Sequence, residues 1–210
     1  MIRILIVDDH TVVRSGIRHI LSETPDISVE AEASSGHEAL EQLRRIPVDM
    51  VLLDISMPDR SGLDMLKDFR AEHPEIQILI LTMHPEEQYA VRALKNGASG
   101  YLTKDSAHSE LIDAIRKISS GRKYITASLA ERLAGMLDIN IEQSQHEKLS
   151  NRELEVMLLI ASGESMTGVA DALNLSIKTV STYKSRILEK MDLRSTADII
   201  RYAIKNNLSY

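Results

Sequence analysis

The stretch DMVLLDISMP, residues 49–58, decides the fold. Its run MVLL, residues 50–53, has no polar member to face water, so it reads as a strand buried on both sides. A carboxylate, Asp54, closes the run, and Pro58 helps hold the loop that leaves it. The same grammar recurs on either side. ILIV at 4–7 stops at Asp8 and Asp9, ILIL at 78–81 stops at Thr82, and the short run GYLT at 100–103 stops at Lys104. ISVEAEA at 27–33 alternates instead, as a half-exposed edge strand should. Helical periodicity fills the gaps: Val13, Ile17, Ile20 and Leu21 share a face, as do Ala39, Leu40 and Leu43, and then Leu111, Ile112, Ile115 and Ile118. Strand and helix in strict alternation give an open α/β unit on a five-stranded parallel sheet.

After Gly121 the pattern changes. Residues 122–147 read as a linker with a helix at 128–137, followed by a polar stretch from Asn140. Residues 148–210 carry no strand signal. SNRE at 150–153 is a capping box, and Gly163 is a stop for the helix it opens. A short helix at 169–173 ends at Asn174, Ser176 caps a helix at 177–191, and STAD at 195–198 opens a last helix at 197–205. Four helices with a tight link at 173–176 read as a helix-turn-helix unit.

Composition narrows the function classes. The chain has 210 residues, enough for two small domains. It holds no Cys, which excludes disulfides and thiolate chemistry. The apolar run in MIRILIVDDH is too short for a signal peptide, and no window suits a membrane span, so a cytoplasmic location without membrane contact is expected. Charge is uneven: residues 1–147 carry 16 Lys/Arg against 24 Asp/Glu, and residues 148–210 carry 9 against 7. An acidic front and a mildly basic back imply different partners.

In open α/β sheets, sites form at the carboxyl ends of strands where the strand order reverses. If the first and third strands are neighbours, Asp8, Asp9 and Asp54 converge there. Like charges held that close need a cation, and carboxylates with water suit Mg²⁺. Thr82 and Lys104 reach the same edge. Carboxylates, metal, hydroxyl and ammonium together make a phosphoryl site, with Asp54, alone at its strand end, as the nucleophile. Each residue alone has a bland reading: a helix cap, a surface doublet, a solvated Lys. Their placement at the ends of four strands favours the chemical one.

The motifs VDDH, VLLDISMP, ILILT and GYLTK resemble the receiver domain of two-component response regulators. LSNRELEVMLLIASG and LNLSIKTVSTYKSRILEKM resemble the LuxR-type DNA-binding domain, and together they resemble the NarL/FixJ family over nearly the whole chain. The resemblance implies a flavodoxin-like, doubly wound receiver at 1–121, the linker at 122–147, and a helix-turn-helix domain at 148–210. It implies that a sensor histidine kinase phosphorylates Asp54. It implies Mg²⁺ on Asp9, Asp54 and the Ser56 carbonyl, with Asp8 acting partly through water. Thr82 and Tyr101 match the family's switch pair, and Lys104 its phosphate-binding lysine. Asp105 stands where many receivers have Pro, often after a cis bond.

Helix 177–191 is cationic, with Ile177, Val180, Ile187, Leu188 and Met191 as its apolar side. The resemblance casts it as the recognition helix, with Lys178, Thr179, Ser181, Thr182, Lys184, Ser185 and Arg186 toward double-stranded DNA. Tyr183 stands where many members have His, and Met166-Thr167-Gly168 replaces a commoner Asn-Lys-Glu run. Ile199, Ile200, Ala203 and Ile204 give the last helix an apolar surface, the family's usual dimer contact, so a homodimer on activation is expected. RNA polymerase is a further expected partner. Two other readings stay open: an Asp-nucleophile phosphatase or phosphotransferase, and a phosphorylation-controlled protein-binding module that does not bind DNA. The former generally carries D-x-D on the first strand, whereas Asp54-Ile55-Ser56 lacks the second carboxylate.

Overall fold

The computed structural model describes residues 1–57, 61–138 and 144–208. The chain divides into two compact units, Met1–Leu133 and Ala134–Tyr210. The first is the alternating one. Its strands are β1 (Ile2–Val7), β2 (Ile27–Ala33), β3 (Met50–Leu53), β4 (Gln77–Thr82) and β5 (Gly100–Thr103). Its helices are α1 (Thr11–Ser22), α2 (Gly36–Arg45), α3 (Gly62–Glu72), α4 (Glu86–Lys95) and α5 (Ala107–Ser119), and α6 (Ala127–Asp138) begins in it.

The strands form one parallel sheet in the order β2-β1-β3-β4-β5. The order reverses between β1 and β3, so the crevice lies where Asp8 and Asp54 leave their strands. Ile4, Ile6, Met50, Leu52, Leu79, Leu81 and Leu102 pack with Ile17 and Leu21 of α1 and with Leu111, Ile115 and Ile118 of α5. The alternate residues Leu5, Val7, Val51, Leu53, Ile78 and Ile80 are equally buried, as pleating between two covered faces requires. β2 sits at an edge and is only partly buried, in keeping with its alternating sequence.

The expected linker does not leave the first unit at once. Tyr124 makes a bridge to Gly100 of β5, and its hydroxyl donates to Glu110 of α5. The Thr126 hydroxyl donates to Glu86 of α4 (2.6 Å) and accepts the Leu129 N–H, capping α6. Leu129 is fully buried. Pro58 and residues 140–143 lie outside the described residues, so the loop and polar stretch read there carry no structural account.

The second unit holds a 3₁₀ turn (Gln145–Lys148) and helices α7 (Asn151–Ala161), α8 (Met166–Ala172), α9 (Ile177–Lys190) and α10 (Thr196–Lys205). The α7 capping box is complete: the Ser150 hydroxyl accepts the Glu153 N–H, and Glu153 accepts the Ser150 N–H at 2.7 Å. At α10 the arrangement differs. Ser195 accepts the Asp198 N–H, but the Asp198 carboxylate takes the Ser195 hydroxyl and the Arg194 N–H. Asn174, at φ 50°, ends α8, as its tolerance of left-handed backbone allows. α7 packs against α8, α9 and α10.

Candidate phosphoryl and nucleic-acid sites

Strand register assembles the first site. Val7 pairs with Leu53, and the Asp54 N–H donates to Val7 O (2.9 Å), so Asp8 and Asp54 emerge side by side. On the far side, Thr82 pairs with Thr103, and the Lys104 N–H donates to Thr82 O (2.8 Å). The Lys104 ammonium then lies 2.6 Å from Asp8 Oδ2 and 2.7 Å from Asp54 Oδ2. Both carboxylates are only 2% exposed. α3 is fitted against the same loop: a Cβ on Gly62 would stand 2.0 Å from the Asp54 carbonyl oxygen. Only a residue without a side chain lets the helix start so close. Every described peptide bond is trans, including the one from Lys104 to Asp105.

The electrostatics leave room for a cation. Burial pushes the Asp54 carboxyl above its ordinary value against the pull of Lys104, and Asp8 adds to the rise. Burial also opposes the Lys104 charge, but Asp54 and Asp8 together hold its pKa up. Three carboxylates face one ammonium, a deficit of two positive charges. Asp9 Oδ1 is buried without a hydrogen bond, although His10 Nδ1 is 2.8 Å away. Ligand atoms of Asp8, Asp9, His10 and Asp54 all lie within 4.8 Å of one another. A set of hard oxygen donors with that deficit fits a divalent cation.

Thr82 and Tyr101 are fully buried. The Thr82 hydroxyl accepts from the His84 N–H (3.4 Å), and the Tyr101 hydroxyl donates to His84 O (2.8 Å). His84, not singled out from sequence, is the centre of this loop. Its Nε2 is 2.7 Å from Ser56 Oγ and its ring packs on Tyr89. Burial, then the nearby Lys104 charge, keep its imidazole below the usual pKa. The only sequence signal for it was a polar residue two places beyond Thr82.

In the second unit α9 turns its exposed side outward with Lys178, Ser181, Thr182, Ser185 and Arg186, while Thr179 and Lys184 are half-buried. The Thr179 hydroxyl is taken up by the cap, 2.8 Å from Ser176 Oγ. Lys190 is exposed but paired, 2.7 Å from the buried Glu153. Two sequence expectations need correction. Ile177 is 50% exposed and is not part of the apolar side, because the first side chain of α9 overhangs the core. Ile199 and Ala203 are 0% exposed on the inner face of α10, so no dimer contact falls to them. Ile200 is half-buried and Ile204 is 61% exposed.

Known proteins carry the same two parts. Residues 4–116 match the response regulator receiver domain, and residues 147–203 match the bacterial regulatory proteins of the luxR family. Response regulator UvrY of Escherichia coli (strain K12) is 37% identical over 209 residues, covering 99% of this chain and 96% of UvrY. Response regulator GacA of Pseudomonas syringae pv. syringae (strain B728a) is 34% identical over 209 residues, covering 99% and 98%. Among solved structures, RcsB from Salmonella enterica serovar Typhimurium, bound to promoter rprA with phosphomimetic BeF3-, superposes with a TM-score of 0.66 at 25% identity, covering 96% of this chain and 97% of RcsB. With both parts matched in this order along almost its whole length, the chain belongs to the response regulators of the NarL/FixJ type, a receiver domain followed by a LuxR-type DNA-binding domain.

Proposed function

We propose that Asp54 accepts a phosphoryl group from a sensor histidine kinase and that this controls binding of α9 to double-stranded DNA. The carrying observation is the Lys104 ammonium 2.7 Å from a buried Asp54 oxygen, beside Asp8 and Asp9. A carboxylate oxygen of Asp54 attacks phosphorus, the bond from phosphorus to the kinase histidine nitrogen breaks, and the imidazole leaves with that electron pair. Lys104 stands within reach of the new phosphoryl oxygens and offsets their charge. Asp8, Asp9, Asp54 and the Ser56 carbonyl would hold Mg²⁺, which would stabilise charge on the transferring group. Thr82 turns its hydroxyl to a phosphoryl oxygen. That draws on the loop whose His84 carbonyl is tied to Tyr101, so the bond must be remade. The receiver acts on its own Asp54 and turns over no external substrate.

We divide the chain at 1–121, 122–147 and 148–210, with the first part for the kinase, the last for DNA, and RNA polymerase met at the promoter. The regulator works in the cytoplasm, where DNA is found. Among the described residues no helix is long and apolar enough to cross a membrane. The last part pairs into a homodimer through Ile200 and Ile204. Acetyl phosphate with Mg²⁺ tests the site by intact mass: the wild type gains one phosphoryl group and Asp54→Asn gains none. Labelling of Asp54→Asn overturns the assignment. Gel shifts of the labelled protein on genomic fragments test the second half. Failure on every fragment would favour a protein-binding module instead.

A further inference from the structure

Among the described residues, the exposed large apolar side chains are Met1, Val12, Met83, Ile177 and Ile204. Only Ile177 lies on α9, where it opens the helix at 50% exposure beside the exposed Lys178. Resting on the reading of α9 as the DNA helix, we infer that Ile177 is a specificity-determining residue that contacts the C5 methyl of a thymine in the major groove.

Three observations lead there. In helix-turn-helix units the N-terminal residues of the second helix meet the base edges, and Ile177 is the first of α9. Three hydroxyls of α9 are already engaged within the chain. Thr179 is bound to the Ser176 cap, Thr182 donates to Lys178 O (3.0 Å), and Ser185 donates to Ser181 O (3.1 Å). Lys178, Ser181 and Arg186 keep polar groups exposed on α9, and Ile177 adds the one large aliphatic side chain exposed there. Lys178 and Arg186 supply positive charge to the flanking backbone, which fixes a polyanion as the occupant. The one apolar feature on a base edge of the major groove is the thymine methyl.

The test uses full-length protein labelled with acetyl phosphate. Bound duplexes are selected from a randomised pool, and each thymine of the selected site is then replaced singly by deoxyuridine, which pairs alike but lacks the methyl. The wild type should lose about fourfold in affinity at one thymine of each half-site, the factor for burying one methyl. Ile177→Ala should bind the thymine duplex about as weakly as the wild type binds the deoxyuridine one, and should no longer distinguish them. Ile177→Val should keep part of the difference. Persistent discrimination by Ile177→Ala, or its loss in Thr182→Ser instead, overturns the role of Ile177. So does specific binding by the wild type with no thymine preference anywhere. If the pool yields no specific duplex at all, the DNA-helix reading itself falls, and this inference with it.

Discussion

Of the described glycines, Gly62 leaves the least room for a side chain. Its N–H donates to Ile55 O at 2.9 Å, and an added Cβ would meet the Asp54 carbonyl at 2.0 Å. Gly62→Ala should therefore push α3 off the loop that carries Asp54, at about 1–3 kcal/mol. A lower denaturation midpoint and slower acetyl phosphate labelling are expected; an unchanged midpoint and rate would refute the close fit. Glu153 sets an acid limit for the second unit. Burial pushes its carboxyl up, but Lys190 and Ser150 pull it down further, so the folded pKa lies below the ordinary 4.5. Such a carboxylate stabilises the fold when ionised. Its contribution is complete above the ordinary value and is lost as pH falls through the lowered one. Glu153→Gln should cost about 1 kcal/mol at neutral pH, less than a buried charged hydrogen bond because solvent screens Lys190, which is 42% exposed. It should also flatten the acid loss, as denaturant titrations at neutral and acid pH would reveal; equal acid sensitivity would assign that loss elsewhere.

At the scale of elements, the basic side of α9 sorts its cations by what they touch. Lys178, Arg186 and Lys190 are all exposed, but Lys190 is held by Glu153. Lys178→Ala and Arg186→Ala should each make log affinity less steep against log salt by about one unit, while Lys190→Ala leaves the slope as in the wild type. A slope change for Lys190→Ala alone would reverse the assignment. β1, β3 and β4 were plain in the sequence as continuous apolar runs and β2 by its alternation, and the ends of β1, β3, β4 and β5 named the residues that the sheet brings together. α3 and α4 were not picked out individually, for physical reasons. α3 buries Leu63, Met65, Leu66 and Phe69, too wide a face for a clean stripe. α4 buries Tyr89 and two small residues, Ala90 and Ala93, which give weak periodicity. Apolar spacing also misplaced Ile177, since periodicity does not tell where a helix overhangs its core. It could not separate Ile199 and Ala203, which fill the core, from Ile204, which does not.

For the whole molecule, charge and symmetry set the conditions of binding. Residues 1–147 carry 24 Asp/Glu against 16 Lys/Arg, so attraction to a polyanion must come from the last part. One small helix-turn-helix unit covers little DNA surface, and specific affinity usually comes from two units on paired half-sites. An isologous pair uses the same patch twice, so even a small apolar patch suffices to start one. On α10 that patch is Ile204, 61% exposed, with the half-buried Ile200 one turn away. Beryllofluoride, which mimics the phosphoryl group, should raise the dimer fraction in sedimentation velocity. Ile204→Ser should reverse that rise and weaken binding to paired half-sites while leaving the labelling of Asp54 intact. It removes an apolar contact without touching the core that Ile199 and Ala203 fill, so misfolding would not explain the loss. If Ile204→Ser dimerises like the wild type, the contact lies off α10. If beryllofluoride leaves the monomer fraction unchanged at every concentration, phosphorylation does not act through dimerisation in solution.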